Sequence, residues 1–120
     1  MEGSDDMVLT PVEALQQLEV HWKLAPPKGA ADLGPGERYM LVLLKLRDEV
    51  CPRLKDLSKA LKSPEAALAA AIVDVLGPLA TGQPLVVGTL FRMITIYGID
   101  RFCSEPEGAL DAVLAADARS

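Results

Sequence analysis

Apolar residues near the start of the chain recur every three or four positions, the spacing that places side chains on one face of an α-helix. This stripe consists of Val12, Leu15, Leu18 and Trp22. Thr10 precedes it as a helix cap, and Glu13 is placed to complete a capping box with Thr10. The pattern predicts a first helix that ends before Pro26. We expect a flexible N-terminal arm over residues 1–9 before it and a Pro/Gly-rich loop over residues 26–36 after it.

The second predicted helix runs from about Glu37 to Val50. Its first half, residues 39–44, is apolar on every face, which is typical of a helix covered on several sides. Pro52 follows, and proline has no backbone N–H to donate within a helix. We therefore expect either a kink at this position or the start of a third, short helix.

A fourth helix follows a tight corner at residues 62–64. Ser63 is placed as its N-cap. Gly77 followed by Pro78 is a stop signal, because glycine adopts the left-handed capping conformation and proline cannot continue a helix. Together with the third helix, this segment has the outline of a helix-turn-helix over residues 53–77.

The segment from Pro84 to Tyr97 has features of both helix and strand. Proline suits the first helical position, and fourteen residues are long for one strand, but many of them are β-branched. We expect a helix, and the alternative is a β-hairpin over residues 84–97 that would make a winged helix. Ser104 and Glu107 then predict a second capping box and a last helix.

These elements predict an all-α fold, a compact bundle of five or six short helices that forms a single domain over residues 10–120. The composition agrees with it. Half of the 120 residues are apolar and only 4% are aromatic, so the apolar mass is mostly Ala, Leu and Val. Such a chain suits closely packed helices and leaves apolar surface for a partner.

Charge and cysteine content limit the function classes. The net charge of −5 repels phosphate and argues against nucleic acid as a partner. Cys51 and Cys103 are far apart and match no zinc spacing, so we expect two buried thiols in a reducing compartment. The N-terminus lacks a signal-peptide pattern, and no segment is long and apolar enough to span a membrane. We expect a cytoplasmic protein without a membrane partner.

A DNA-binding transcriptional regulator of helix-turn-helix type remains an alternative, because residues 38–62 are the most basic part of the chain. Its candidate contacts are Arg47, Arg53, Lys55, Lys59 and Lys62. A reading helix must present donors to base edges. The fourth helix instead opens with Glu65 and a run of alanines, so its reading surface has no donors.

The alanine run supplies the best candidate interface. Ala66, Ala67, Ala69 and Ala70 lie on more than one side of the fourth helix. High helix propensity alone is an equally good explanation for them. Some of these methyl groups must face away from the helix's own apolar stripe, where a second subunit or a partner helix would cover them.

Catalytic chemistry has no support in the sequence. His21 is the only histidine, and no spacing places it beside either cysteine as a base for a nucleophile. Arg92 is a charge within a long apolar segment, and we expect it to pair with an acid such as Asp100 or Asp74. We predict no enzyme activity, no metal and no cofactor.

The sequence thus predicts a small acidic protein–protein interaction module, an adaptor, assembly factor or inhibitor that acts by contact. We expect it to bind another protein, itself, or both, and to form a homo-oligomer. A second alternative is a binder of a small apolar ligand in an internal pocket.

Overall fold

Eight α-helices and two single-turn 3₁₀ helices follow one another in the computed structural model, which describes residues 9–119. The α-helices are α1 (Pro11–His21), α2 (Pro35–Arg38), α3 (Met40–Ala60), α4 (Pro64–Leu76), α5 (Pro78–Gly82), α6 (Pro84–Tyr97), α7 (Ile99–Ser104) and α8 (Ala109–Ala118). The 3₁₀ turns are Ala30–Asp32 and Pro106–Gly108. None of residues 9–119 forms a strand. The predicted all-α bundle is confirmed, with three very short helices beyond the long ones.

Helix α1 begins as its sequence predicts. The hydroxyl of Thr10 accepts from the Glu13 N–H at 3.1 Å, and the Glu13 carboxylate accepts from the Thr10 N–H at 3.0 Å. Both halves of the capping box are therefore present. Leu9, which we had assigned to the arm, packs on the core, and its carbonyl accepts from the Thr89 hydroxyl at 3.0 Å. The rest of the predicted arm, residues 1–8, lies outside the described residues.

Helix α3 corrects two predictions. It continues through Pro52 to Ala60, so the separate third helix does not exist. Apolar side chains before and after the proline pack against the core, and this burial outweighs the cost of the missing N–H. Residues 39–44 are also not covered on all sides, because Leu41 is 52% exposed while Val42 and Leu43 are buried.

Helices α3 and α4 pack against each other and make the most extensive helix–helix contact among the described residues. The hydroxyl of Ser63 accepts from the Ala66 N–H at 3.2 Å and caps α4, as predicted. Arg53 of α3 donates to the Asp74 carboxylate of α4 at 2.6 Å across the pair. Helix α4 ends at Gly77, whose φ of 55° favours glycine.

The segment from Pro84 to Tyr97 is the helix α6, which the sequence favoured, and the β-hairpin alternative finds no support in it. Gly98, with φ 111°, then turns the chain into α7. The predicted capping box at Ser104 is wrong. Ser104 ends α7 and donates to the Asp100 carbonyl, and α8 starts at Ala109 after a 3₁₀ turn.

One cluster of buried side chains joins α1, α3, α4, α6, α7 and α8. Leu15 and Leu18 of α1 are fully buried, as their stripe predicted, and Ile72 of α4 and Leu110 of α8 are fully buried beside them. Phe102 is the largest fully buried side chain, and it anchors the short helix α7 to the core. The anchor matters for the site, because α7 forms one of its walls.

Candidate functional site

A groove of about 840 Å³ opens between the second half of α3, the start of α4 and the helix α7. Its apolar lining comes from both cysteines and from Pro52, Leu54, Pro64, Ala67 and Ile99. Its polar lining consists of Arg47, Asp48, Lys55, Asp56, Ser58 and Asp100. We call this feature the α3–α7 groove. An apolar floor with a charged rim is the usual build of a binding surface.

A disulfide joins Cys51 of α3 to Cys103 of α7 in the wall of the groove, with 5.9 Å between the two Cα atoms. The prediction of two free thiols is therefore wrong. The residues lie 52 positions apart, so their sequence spacing gave no sign that α7 returns to the middle of α3. Both cysteines are only half-buried, which leaves the bond beside open solvent.

Arg47 is a cation in contact with one of the two disulfide-bonded residues. It lies one helical turn before Cys51, and its guanidinium donates to the Cys103 carbonyl at 3.3 Å. It also donates to the Asp48 carboxylate at 2.6 Å, an exposed pair on the groove rim. Arg47 thus connects α3 to the end of α7 and places a positive charge at the backbone of Cys103.

The rim of the α3–α7 groove is acidic on balance. Three carboxylates, on Asp48, Asp56 and Asp100, face two cations, Arg47 and Lys55. The acidic excess at the rim has the same sign as the net charge of the chain. A segment with positive side chains would meet a favourable potential here.

The five basic residues named for DNA contact have different environments. Arg47 and Lys55 line the groove, whereas Arg53 pairs with Asp74 and with Glu49 instead. Lys59 and Lys62 are exposed beyond the groove. Hydrogen bonding to Asp74 is the main reason why the pKa of Arg53 is raised, so this cation is already committed to a partner within the chain.

The four alanines of the candidate interface have different environments. Ala66 is exposed, and Ala69 and Ala70 are half-buried. Ala67 has no exposed surface and lies beneath the α3–α7 groove. The small side chain at this position therefore lets α4 pack inward, and only the other three alanines are placed to meet a partner. That they do so stays a prediction.

His21 and Arg92 lie outside the α3–α7 groove. His21 is exposed at the end of α1. Arg92 forms an ion pair, as expected, but its partner is Asp117 of α8 rather than Asp100 or Asp74, and the pair is partly exposed. The hydrogen bond from Arg92 lowers the pKa of Asp117. Within residues 9–119, no three His, Cys, Asp or Glu side chains cluster as metal ligands.

Comparison with known proteins adds no further constraint. No protein-family model matches the chain, and no curated protein or solved structure is significantly similar to it. Among the described helices, none has the length and apolar content needed to cross a membrane.

Proposed function

We propose that this protein is a small acidic interaction module that binds a segment of another protein in the α3–α7 groove. It acts by contact, as an adaptor, assembly factor or inhibitor. The observation that carries this proposal is the groove itself, an apolar floor of about 840 Å³ bounded by charged side chains and open to solvent. The groove replaces the alanine run as the principal surface, because Ala67 is buried beneath it.

The partner segment that fits is an amphipathic helix with a basic flank. Leu54, Ile99 and the disulfide offer apolar contact to one face of such a helix, in the manner of a helix laid in a groove. The three rim carboxylates favour lysine or arginine beside that face. The same carboxylates and the net charge of −5 would repel an acidic segment.

Binding of a small apolar ligand is the second candidate, because the groove volume lies within the range of about 300–1,000 Å³ that such sites occupy. An open groove with five charged lining residues favours the peptide over a ligand that needs to be enclosed. Nucleic-acid binding is disfavoured by the same rim, since its carboxylates would face phosphate.

Self-association and a cytoplasmic location remain predictions. Leu41, Val73 and Ile96 are exposed and would suit a contact between copies. The disulfide limits what a cytoplasmic location would mean. Stable disulfides are typical of oxidising compartments, whereas disulfides in the cytosol are usually transient or redox-sensing.

The test uses two synthetic helical peptides that share one leucine face and differ only in lysine or glutamate flanks. Isothermal titration should give binding for the lysine peptide that is about tenfold or more tighter than for the glutamate peptide. Equal or absent binding of both peptides would contradict the proposal. Competition by an apolar dye would favour the small-ligand candidate instead.

Charge reversal on the rim provides the matched control. Asp100→Lys should weaken binding of the lysine peptide about fivefold, since exposed charge contacts each contribute about 0.2–1 kcal/mol. Asp32→Lys makes the same charge change at an exposed position outside the groove and should leave the affinity nearly unchanged. If both variants weaken binding equally, the interaction depends on net charge and not on the groove.

A further inference from the structure

The Cys51–Cys103 bond is placed where a small thiol can reach it. Both cysteines line the α3–α7 groove and both are half-buried, whereas Phe102 beside Cys103 is fully buried. Exposed disulfides are more often the labile or regulatory ones than disulfides that only stabilise a fold. The position of this bond in an open groove wall calls for another explanation.

We propose that Cys51–Cys103 is a thiol-exchange site for a low-molecular-weight thiol of the glutathione class, and that the exchange regulates the groove. The thiol-exchange site is inferred from the position of the disulfide alone. The second part rests on the proposed function, since it concerns partner binding in the same groove.

The exchange is a two-step substitution at sulfur. The thiolate of the small molecule attacks the Sγ atom of Cys51, a new S–S bond forms, and the Cys103 sulfur leaves as a thiolate that takes a proton from water. A second small thiolate then attacks the small-molecule sulfur of the mixed disulfide. Its products are the small-molecule disulfide and a Cys51 thiolate, which also takes a proton. Two small thiols are oxidised and the protein disulfide is reduced.

Arg47 favours the first step. Its guanidinium contacts the Cys103 carbonyl, and Arg47 lies one turn before Cys51 on α3, so its positive charge is near the two residues whose sulfurs become anionic during exchange. The carboxylates of Asp48, which pairs with Arg47, and of Asp56 and Asp100, which line the same groove, oppose the approach of an anionic thiol and so limit the gain in rate from Arg47. Lys55 adds a second cation to the lining.

Opening of the bond would loosen one wall of the groove without unfolding the protein. Helix α7 has only six residues, and it contributes Ile99 and Asp100 to the groove. After reduction it remains attached through buried Phe102 and through the hydrogen bond from the Tyr97 hydroxyl to the Glu105 carbonyl at 2.7 Å. The apolar contact and the carboxylate that it offers a partner would then be free to move.

The exchange is tested with the intact oxidised protein and reduced glutathione at neutral pH. Acid-quenched mass spectrometry should show one glutathione adduct and then the dithiol, at a rate within about tenfold of that of a short linear peptide disulfide. The rate should stay constant in low concentrations of urea, because attack occurs on the folded protein. An exchange rate that rises in proportion to the unfolded population would show that the thiol attacks only the unfolded chain, and it would overturn the proposed exchange site.

Two variants test the role of Arg47. Arg47→Gln should slow the first step about three- to tenfold, and Arg47→Lys should restore most of the rate because it keeps the positive charge. Equal rates in all three proteins would show that Arg47 does not assist. Circular dichroism before each experiment confirms that the variants are folded.

Regulation is tested with the lysine-flanked peptide described above. The reduced protein and the Cys51→Ser/Cys103→Ser variant should both bind it about tenfold more weakly than the oxidised protein. Equal binding by oxidised and reduced protein overturns regulation but leaves the proposed function intact. No binding in either state, with exchange still observed, overturns the proposed function and leaves the exchange site standing.

Discussion

Two neighbouring alanines of α4 have opposite roles in the structure. Ala67 has no exposed surface, whereas Ala66 faces solvent. Ala67→Arg would bury an unpaired charge, so we expect it to cost several kcal/mol of unfolding free energy or to prevent folding. Ala66→Arg should change the unfolding free energy by less than about 0.5 kcal/mol. Urea unfolding of both variants checks this, and similar losses for the two would contradict the packing of α4.

The cap of α1 gives a second test at the scale of residues. Thr10→Ala should cost about 1 kcal/mol of unfolding free energy, because the hydroxyl that accepts from the Glu13 N–H is lost. Thr81→Ala, at an exposed position of α5, is the control and should change little. Urea unfolding at pH 7 compares them, and an equal effect of both substitutions would count against the cap.

The same cap predicts a pH dependence. The hydrogen bond from the Thr10 N–H lowers the pKa of the Glu13 carboxyl from its ordinary value of 4.5. A carboxyl whose pKa is lowered on folding contributes stability above its unfolded pKa and loses it as the pH falls through the folded value. The stability difference between Glu13→Gln, which cannot ionise, and the parent should therefore shrink as the pH falls below about 4.5. A difference that grows in acid would contradict this account.

Local signals at single residues were predictable where the helix pattern beside them was clear. Thr10 and Ser63 each stand directly before an apolar stripe, and both cap their helices. Ser104 is a serine like Ser63, and Glu107 follows it three positions later, but Ser104 lies in the last turn of α7. That helix has only six residues, so its apolar positions, Ile99, Phe102 and Cys103, are too few to predict a helix that already contains Ser104.

At the scale of elements, Pro52 tests how α3 is held together. A proline inside a helix removes one hydrogen bond and strains the preceding turn. Pro52→Ala should therefore raise the unfolding free energy by about 1–3 kcal/mol. Pro64→Ala, at the first position of α4 where no hydrogen bond is lost, should have little effect. Destabilisation by Pro52→Ala would mean that the proline is needed for the geometry around Cys51.

The long helices could be predicted from the sequence, and their junctions could not. Helix α6 forms although many of its residues are β-branched, because Val86, Leu90 and Ile94 all bury on one face. Helix α3 passes through Pro52 because burial on both sides outweighs a local break signal. In both elements tertiary packing, which a local pattern does not contain, decided the outcome.

At the scale of the whole molecule, the disulfide closes a loop of 52 residues. The chain-entropy model then gives a stabilisation of about 4 kcal/mol. We expect the Cys51→Ser/Cys103→Ser variant to unfold at a correspondingly lower urea concentration while retaining its helical circular dichroism. An unchanged midpoint would show that the bond does not restrict the unfolded chain.

Neither the disulfide nor the groove could be predicted, for the same physical reason. Both depend on α7 returning to the middle of α3, which is decided by the packing of Phe102 and by the turn at Gly98. The groove lining is spread over three helices, and none of its members forms a motif with its neighbours in sequence.

The most direct test of the account is a titration of the oxidised protein with the lysine-flanked peptide, followed residue by residue in amide NMR spectra. If the peptide binds in the α3–α7 groove, the chemical-shift changes should concentrate at residues 47–58, 64–67 and 99–103. Changes that are absent at saturating peptide, or that concentrate on the exposed side of α4 around Val73, would contradict it.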